Sequence, residues 1–99
     1  MRFVFLVLLL LGVGIAGARA EPIAIVAAEN FYGDVAKQIG GVSVAVASIL
    51  TNPDQDPHLF EASPSVARAI SDARIVVYSG IDYDPWMETL LKEIGRAHI

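Results

Sequence analysis

No cysteine occurs among the 99 residues. Disulfides are therefore excluded as a source of stability, and any fold rests on core packing alone. A lipoprotein leader, which needs a cysteine at its cleavage point, is excluded as well. Positive charge is also scarce: 7 Lys and Arg stand against 11 Asp and Glu, a formal net charge of -4. Such a balance makes nucleic acid or anionic lipid a poor partner and is compatible with a cation as ligand. The parts of several enzyme classes are missing. There is no Gly-rich phosphate loop, no Gly-x-Ser-x-Gly elbow and no His-Glu-x-x-His, so a nucleotide enzyme or a hydrolase lacks its machinery. A small Rossmann-like enzyme domain is the alternative reading from another class, and it would require one of those motifs. Internal repeats, low-complexity stretches and linkers are absent too. A chain of 99 residues suffices for one small domain and not for two lobes.

What the chain does have begins with a leader. Met1 and Arg2 form a short positive start, residues 3–15 are almost uninterruptedly apolar, and Ala18-Arg19-Ala20 has the small-x-small form that signal peptidase accepts. The apolar run is shorter than the roughly 20 residues a spanning helix needs, which favours a cleaved signal over an anchor. Residues 1–20 are thus expected to be a signal peptide cleaved after Ala20, with residues 21–99 exported as a soluble product. Loss of Arg2 and Arg19 would leave 5 basic against 11 acidic residues, a formal charge of -6.

From Glu21 onward the pattern alternates between strand and helix periods. Residues 23–27 (IAIVA) read as a buried parallel strand, followed by Glu29-Asn30 as a helix cap. Phe31, Val35 and Ile39 recur at helical spacing until Gly40-Gly41. Residues 42–50 read as a second strand. Ser63-Pro64 is a cap with proline at the first helical position, and Val66, Ala67, Ile70 and Ala73 form the stripe of a second helix. Residues 75–78 (IVVY) read as a third strand. Asp84-Pro85 repeats the cap signal ahead of a third helix, with Met87, Leu90, Leu91 and Ile94 on one face and Gly95 as its end. The order β-α-β-α-β-α implies an α/β fold, a Rossmann-like three-layer lobe built on a parallel sheet with right-handed crossovers. Loops leaving such strands converge at the carboxyl edge of the sheet, where ligands bind. Here these are residues 28–30, 51–62 and 80–84.

The longest of them carries His58, directly behind Asp56-Pro57. Pro57 fixes its own φ and biases Asp56 toward an extended backbone, so the imidazole is presented on a restrained stem. Restraint suits a metal ligand, and an imidazole ligand usually needs an acceptor on its second nitrogen. Asp54, Asp56 and Glu61 are near enough in sequence to supply one. The plainer alternative is a surface-loop histidine with no role. Asp82 reads as shaping the cleft edge or as a solvated carboxylate, Asp84 as an N-cap, and Trp86 as a core or lobe-interface aromatic. His98 reads as an exposed tail residue.

The run "DQDPHLFEASPSVARAISDARIVVYSGIDYDPWMETLL", together with "AAENFYGDVAKQIGG", closely resembles the first lobe of the periplasmic zinc- and manganese-binding proteins that deliver metal to ABC importers, the cluster 9 solute-binding proteins. The Asp-Pro-His, the following aromatic and Glu, the Pro-Ser helix start and the strand ending in Tyr-x-Gly recur there as an ordered block. The resemblance covers nearly all of residues 21–94. It implies that His58 is the first metal ligand; Glu61, Asp56 and Asp82 stay candidates for the second layer from their places in the loops alone. It further implies Zn2+ or Mn2+ as transported cargo, no organic cofactor, no catalysis, an ABC permease at the inner membrane as partner, and a periplasmic location. The family holds its metal with four side chains, two from each lobe, and the second histidine of the first lobe follows a fourth strand that has no counterpart here. Residues 21–99 are therefore expected to be a truncated N-terminal lobe, either part of a working receptor or a remnant without activity. Zinc and manganese are not separated by these residues, because the choice depends on the nitrogen-to-oxygen balance of the remaining ligands.

Overall fold

The computed structural model describes residues 20–98; the expected signal segment, up to residue 19, lies outside them. Three strands, β1 (Ile23–Glu29), β2 (Val44–Leu50) and β3 (Ile75–Val77), form one parallel sheet in the order β2-β1-β3. β1 is the central strand, paired from Ile23↔Val44 to Glu29↔Leu50 on one side and from Ile25↔Ile75 to Ala27↔Val77 on the other. Its burial follows from that position: Ile25, Val26, Ala27 and Ala28 are all buried, as expected of a strand with neighbours on both edges.

Three helices complete the lobe: α1 (Asn30–Gly40), α2 (Pro64–Asp72) and α3 (Pro85–His98). The expected α/β order and parallel sheet are both present. On one face Val26, Ala28, Ile70, Trp86 and Met87 pack with Leu50 into the hydrophobic core, with Ile49, Phe60, Val76, Leu90, Leu91 and Ile94 around them. This face is covered by α2 and α3, whose stripes match the sequence pattern. Ser63 caps α2 as its residue type suggests, its Oγ accepting from the Val66 N–H at 3.4 Å.

The first helix behaves differently. Its four-spaced apolar residues do not face the sheet: Phe31, Val35 and Ile39 are 49%, 52% and 83% exposed. α1 instead approaches through Gly33, which is buried against Val46 and Ser48 of β2, and through Gly40 against Val44. A Cβ at position 40 would stand 2.5 Å from Val44 Cγ1, so the absence of a side chain is what lets helix and strand come this close. Several boundaries also differ from expectation: β1 runs on to Glu29 and β3 ends at Val77. β2 starts at Val44, because a single 3-10 turn takes up Gly41–Ser43. α3 runs through Gly95 to His98, so Gly95 is a helix-interior residue and His98 belongs to the helix.

Position 95 offers a direct check on that correction. A Cβ there would meet nothing within 4 Å, so Gly95→Ala should stabilise the chain by about 0.5–1 kcal/mol, the ordinary helical difference between the two residues. Urea titration followed by circular dichroism measures it; a loss of stability would place the helix end before residue 95.

Candidate metal site at the carboxyl edge

All three expected loops meet at the carboxyl edge and are tied to one another there. Asn30 Nδ2 donates to the Thr51 carbonyl at 3.3 Å, and the Tyr32 hydroxyl donates to Ser79 Oγ at 3.2 Å. The loop after β2 is a succession of tight turns. Gln55 N–H donates to the Asn52 carbonyl at 3.1 Å, Asp54 N–H to Asn52 Oδ1 at 2.9 Å, and Leu59 N–H to the Asp56 carbonyl at 3.1 Å.

His58 is held by its neighbour but one. Asp56 Oδ1 accepts the His58 backbone N–H at 3.0 Å and lies 2.7 Å from the ring Nδ1. An ionised carboxylate can only accept, so Nδ1 carries a proton, and in the neutral ring Nε2 is the nitrogen that keeps a lone pair. Those two bonds, the ring first and the backbone N–H second, hold the Asp56 carboxyl below the usual carboxylate range. The ring also packs edge-on against Tyr83, centroids 5.3 Å apart at 74°, which joins the second loop to the third. The imidazole stays about half exposed, at 54% of its side-chain surface, and so remains open to a ligand.

The other carboxylates are placed differently. Glu61 is exposed and makes no hydrogen bond or ion pair with a described residue; of the three acceptors near in sequence, Asp56 is the one on the ring nitrogen. Asp54 is exposed in the same loop. Asp82 is exposed and lies in a left-handed stretch, with φ values of 72°, 54° and 58° at Gly80, Ile81 and Asp82. Among the described residues no cluster of three or more His, Cys, Asp and Glu side chains is placed to hold a metal. His58 is therefore a single oriented imidazole, with no closed set of donors around it among the described residues.

Asp84 is fully buried, and its carboxylate points back into its own loop rather than over α3: Oδ2 accepts the Ser79 N–H and Oδ1 the Gly80 N–H, both at 2.8 Å. With the Tyr83 N–H donating to the Gly80 carbonyl at 3.0 Å, these bonds hold the left-handed turn in place. Trp86 is 8% exposed and stacks edge-on with Phe60, centroids 4.7 Å apart, anchoring the far end of the His58 loop in the core. Glu29 reads as a cap in sequence, yet it makes no side-chain capping bond and is 2% exposed. Both of its oxygens lack a donor, and burial, followed by the adjacent Asp84 carboxylate, pushes its pKa up to about 8. No sequence signal distinguishes that buried acid from a cap; only the register of β1 does.

Comparison with known proteins bears on the same lobe. The manganese-binding lipoprotein MntA of Bacillus subtilis is 35% identical over 86 residues, covering 86% of this chain and 28% of that protein. The high-affinity zinc uptake system protein ZnuA of Paracoccus denitrificans is 32% identical over 78 residues, covering 79% and 24%. Among solved structures, the periplasmic zinc binding protein TroA from Treponema pallidum superposes with a TM-score of 0.65 at 21% identity, over 76% of this chain and 26% of that one. The fold is thus shared, and the chain spans about a quarter of the length of the curated relatives it matches. The family model for the zinc-uptake complex component A, periplasmic, matches residues 25–99, and the chain belongs to that ZnuA family.

Proposed function

We propose that the chain is the N-terminal lobe of an exported solute-binding protein that captures zinc or manganese and passes it to an ABC permease at the inner membrane, without catalysing a reaction. The observation that carries this reading is the Asp56–His58 pair: a carboxylate fixes Nδ1 and leaves Nε2 free at the sheet edge where ligands bind. The names of the relatives support the same cargo, being manganese-binding for MntA and zinc uptake for ZnuA. His58 serves as one metal ligand and Asp56 orients it; Glu61 and Asp82 are left as solvated carboxylates at the rim. One imidazole does not fill a transition-metal shell, and the described residues bring no cluster of three or more His, Cys, Asp and Glu together around it. The 99-residue chain by itself should accordingly bind zinc only weakly.

A chimera tests the reading. Residues 25–94 placed in the corresponding stretch of B. subtilis MntA should bind zinc or manganese one-to-one in calorimetric titration. A folded chimera with no metal binding would contradict it. Export is tested separately: expressed in a Gram-negative host, the precursor should appear in the periplasm with Glu21 as its new amino terminus, by mass analysis. Retention of Met1 in a membrane fraction would remove the export reading.

A further inference from the structure

Glu29 ends the central strand, and continuing the β1–β3 register past Ala27↔Val77 sets Ser79 beside it. The Asp84 carboxylate is held at this spot by the Ser79 N–H at 2.8 Å, and both acids are buried, Glu29 at 2% and Asp84 at 0% exposure. The two acids are unequally served. Asp84 accepts two backbone N–H groups at 2.8 Å each, whereas neither Glu29 oxygen meets any donor. No cation offsets the pair among the described residues, and Asp84 is the one charged group that acts on Glu29. The other titratable neighbours are Glu88 in the first turn of α3, whose Oε1 reaches toward Gly80, and Tyr32 of α1, whose hydroxyl is engaged by Ser79. From β2 the paired residue is the apolar Leu50. Two buried carboxylates with no donor between them would repel in a weakly screening interior; one proton turns that contact into a hydrogen bond.

We propose that Glu29 and Asp84 hold a single proton between them in the folded chain, clasping the carboxyl end of β1 to the start of α3 through an acid–carboxylate hydrogen bond that alkaline pH opens. The clasp fixes the turn that also carries Tyr83 against the His58 ring, so it acts on the loop geometry at this edge. It makes no use of metal and stands apart from the proposed cargo.

The sign of the linkage follows directly. The folded-state pKa of Glu29, about 8, lies above its ordinary value of 4.5, so the stabilising proton is fully in place below the lower value and is lost as pH rises through the upper one. The test is chemical denaturation of the full 99-residue chain and of Glu29→Gln across this range. The amide of glutamine donates to Asp84 at every pH. The folding equilibrium constant of the wild type, divided by that of the variant, should fall by up to about tenfold per pH unit between about pH 5 and pH 8. Identical slopes for the two proteins would overturn the proposal. Should the variant fail to fold, carbon-13 NMR of labelled glutamate carboxyls in the wild type decides: a Glu29 carboxyl still protonated at neutral pH supports the shared proton, and one ionised at neutral pH overturns it.

Discussion

His58→Ala in the MntA chimera is expected to lower zinc or manganese affinity by more than about 100-fold, beyond the range typical of changes behind the ligand shell. The argument starts from coordination. Removing one of a small set of ligands opens the shell to water, and Glu61 and Asp54, both exposed, are not held against the ring to take its place. Asp56→Asn should cost less, about 10- to 100-fold, because it removes the charge-assisted bond that fixes the tautomer and keeps the ligand itself. Glu61→Gln should change little, as no bond to the imidazole is lost. Calorimetric titration of the three variants orders them. Equal affinity in the histidine variant and the parent would return His58 to the status of a surface-loop residue.

Met87→Ala is expected to leave the 99-residue chain largely unfolded at 25 °C. Met87 is fully buried in the core cluster beside Trp86 and Ile70. Truncating a buried methionine to alanine costs about 2–5 kcal/mol through lost burial and the cavity left behind. A domain of this size commands only roughly 4–12 kcal/mol in total, and several features place this chain toward the low end. It has no disulfide, its sheet has three strands with β2 and β3 as edges, and the Phe31, Val35 and Ile39 stripe contributes little burial. Thermal melts followed by far-UV circular dichroism measure the effect. A cooperative melt within a few degrees of the parent would mean that the core is organised around other residues.

Element order, the parallel sheet and the converging loops are legible in the sequence because each rests on a local signal that tertiary packing has no reason to override. Ser63-Pro64 makes its cap, Ile75 starts its strand, and Trp86 takes its place in the core. The face of α1 is not legible in this way. Phe31, Val35 and Ile39 have the right spacing for an inward stripe, yet the close approach at Gly33 and Gly40 decides the orientation, and a glycine leaves no mark in a hydrophobic pattern. The two acids that read as caps illustrate a second limit. Glu29 and Asp84 have cap-like positions along the chain, but both are buried in the interior, at 2% and 0% exposure. Among the carboxylates near His58, three are plausible by distance in sequence. The turn through Pro57 selects Asp56, since its Oδ1 reaches the backbone N–H and the ring nitrogen of His58 together.

The most direct test of the central claim is a crystal structure of the zinc-loaded chimera with the metal located by anomalous scattering. Zinc bound to Nε2 of His58 at about 2.0–2.1 Å, with Asp56 still on Nδ1, is the result the account predicts. Zinc bound through Nδ1 with the Asp56 contact broken, or held by carboxylates away from His58, would contradict it.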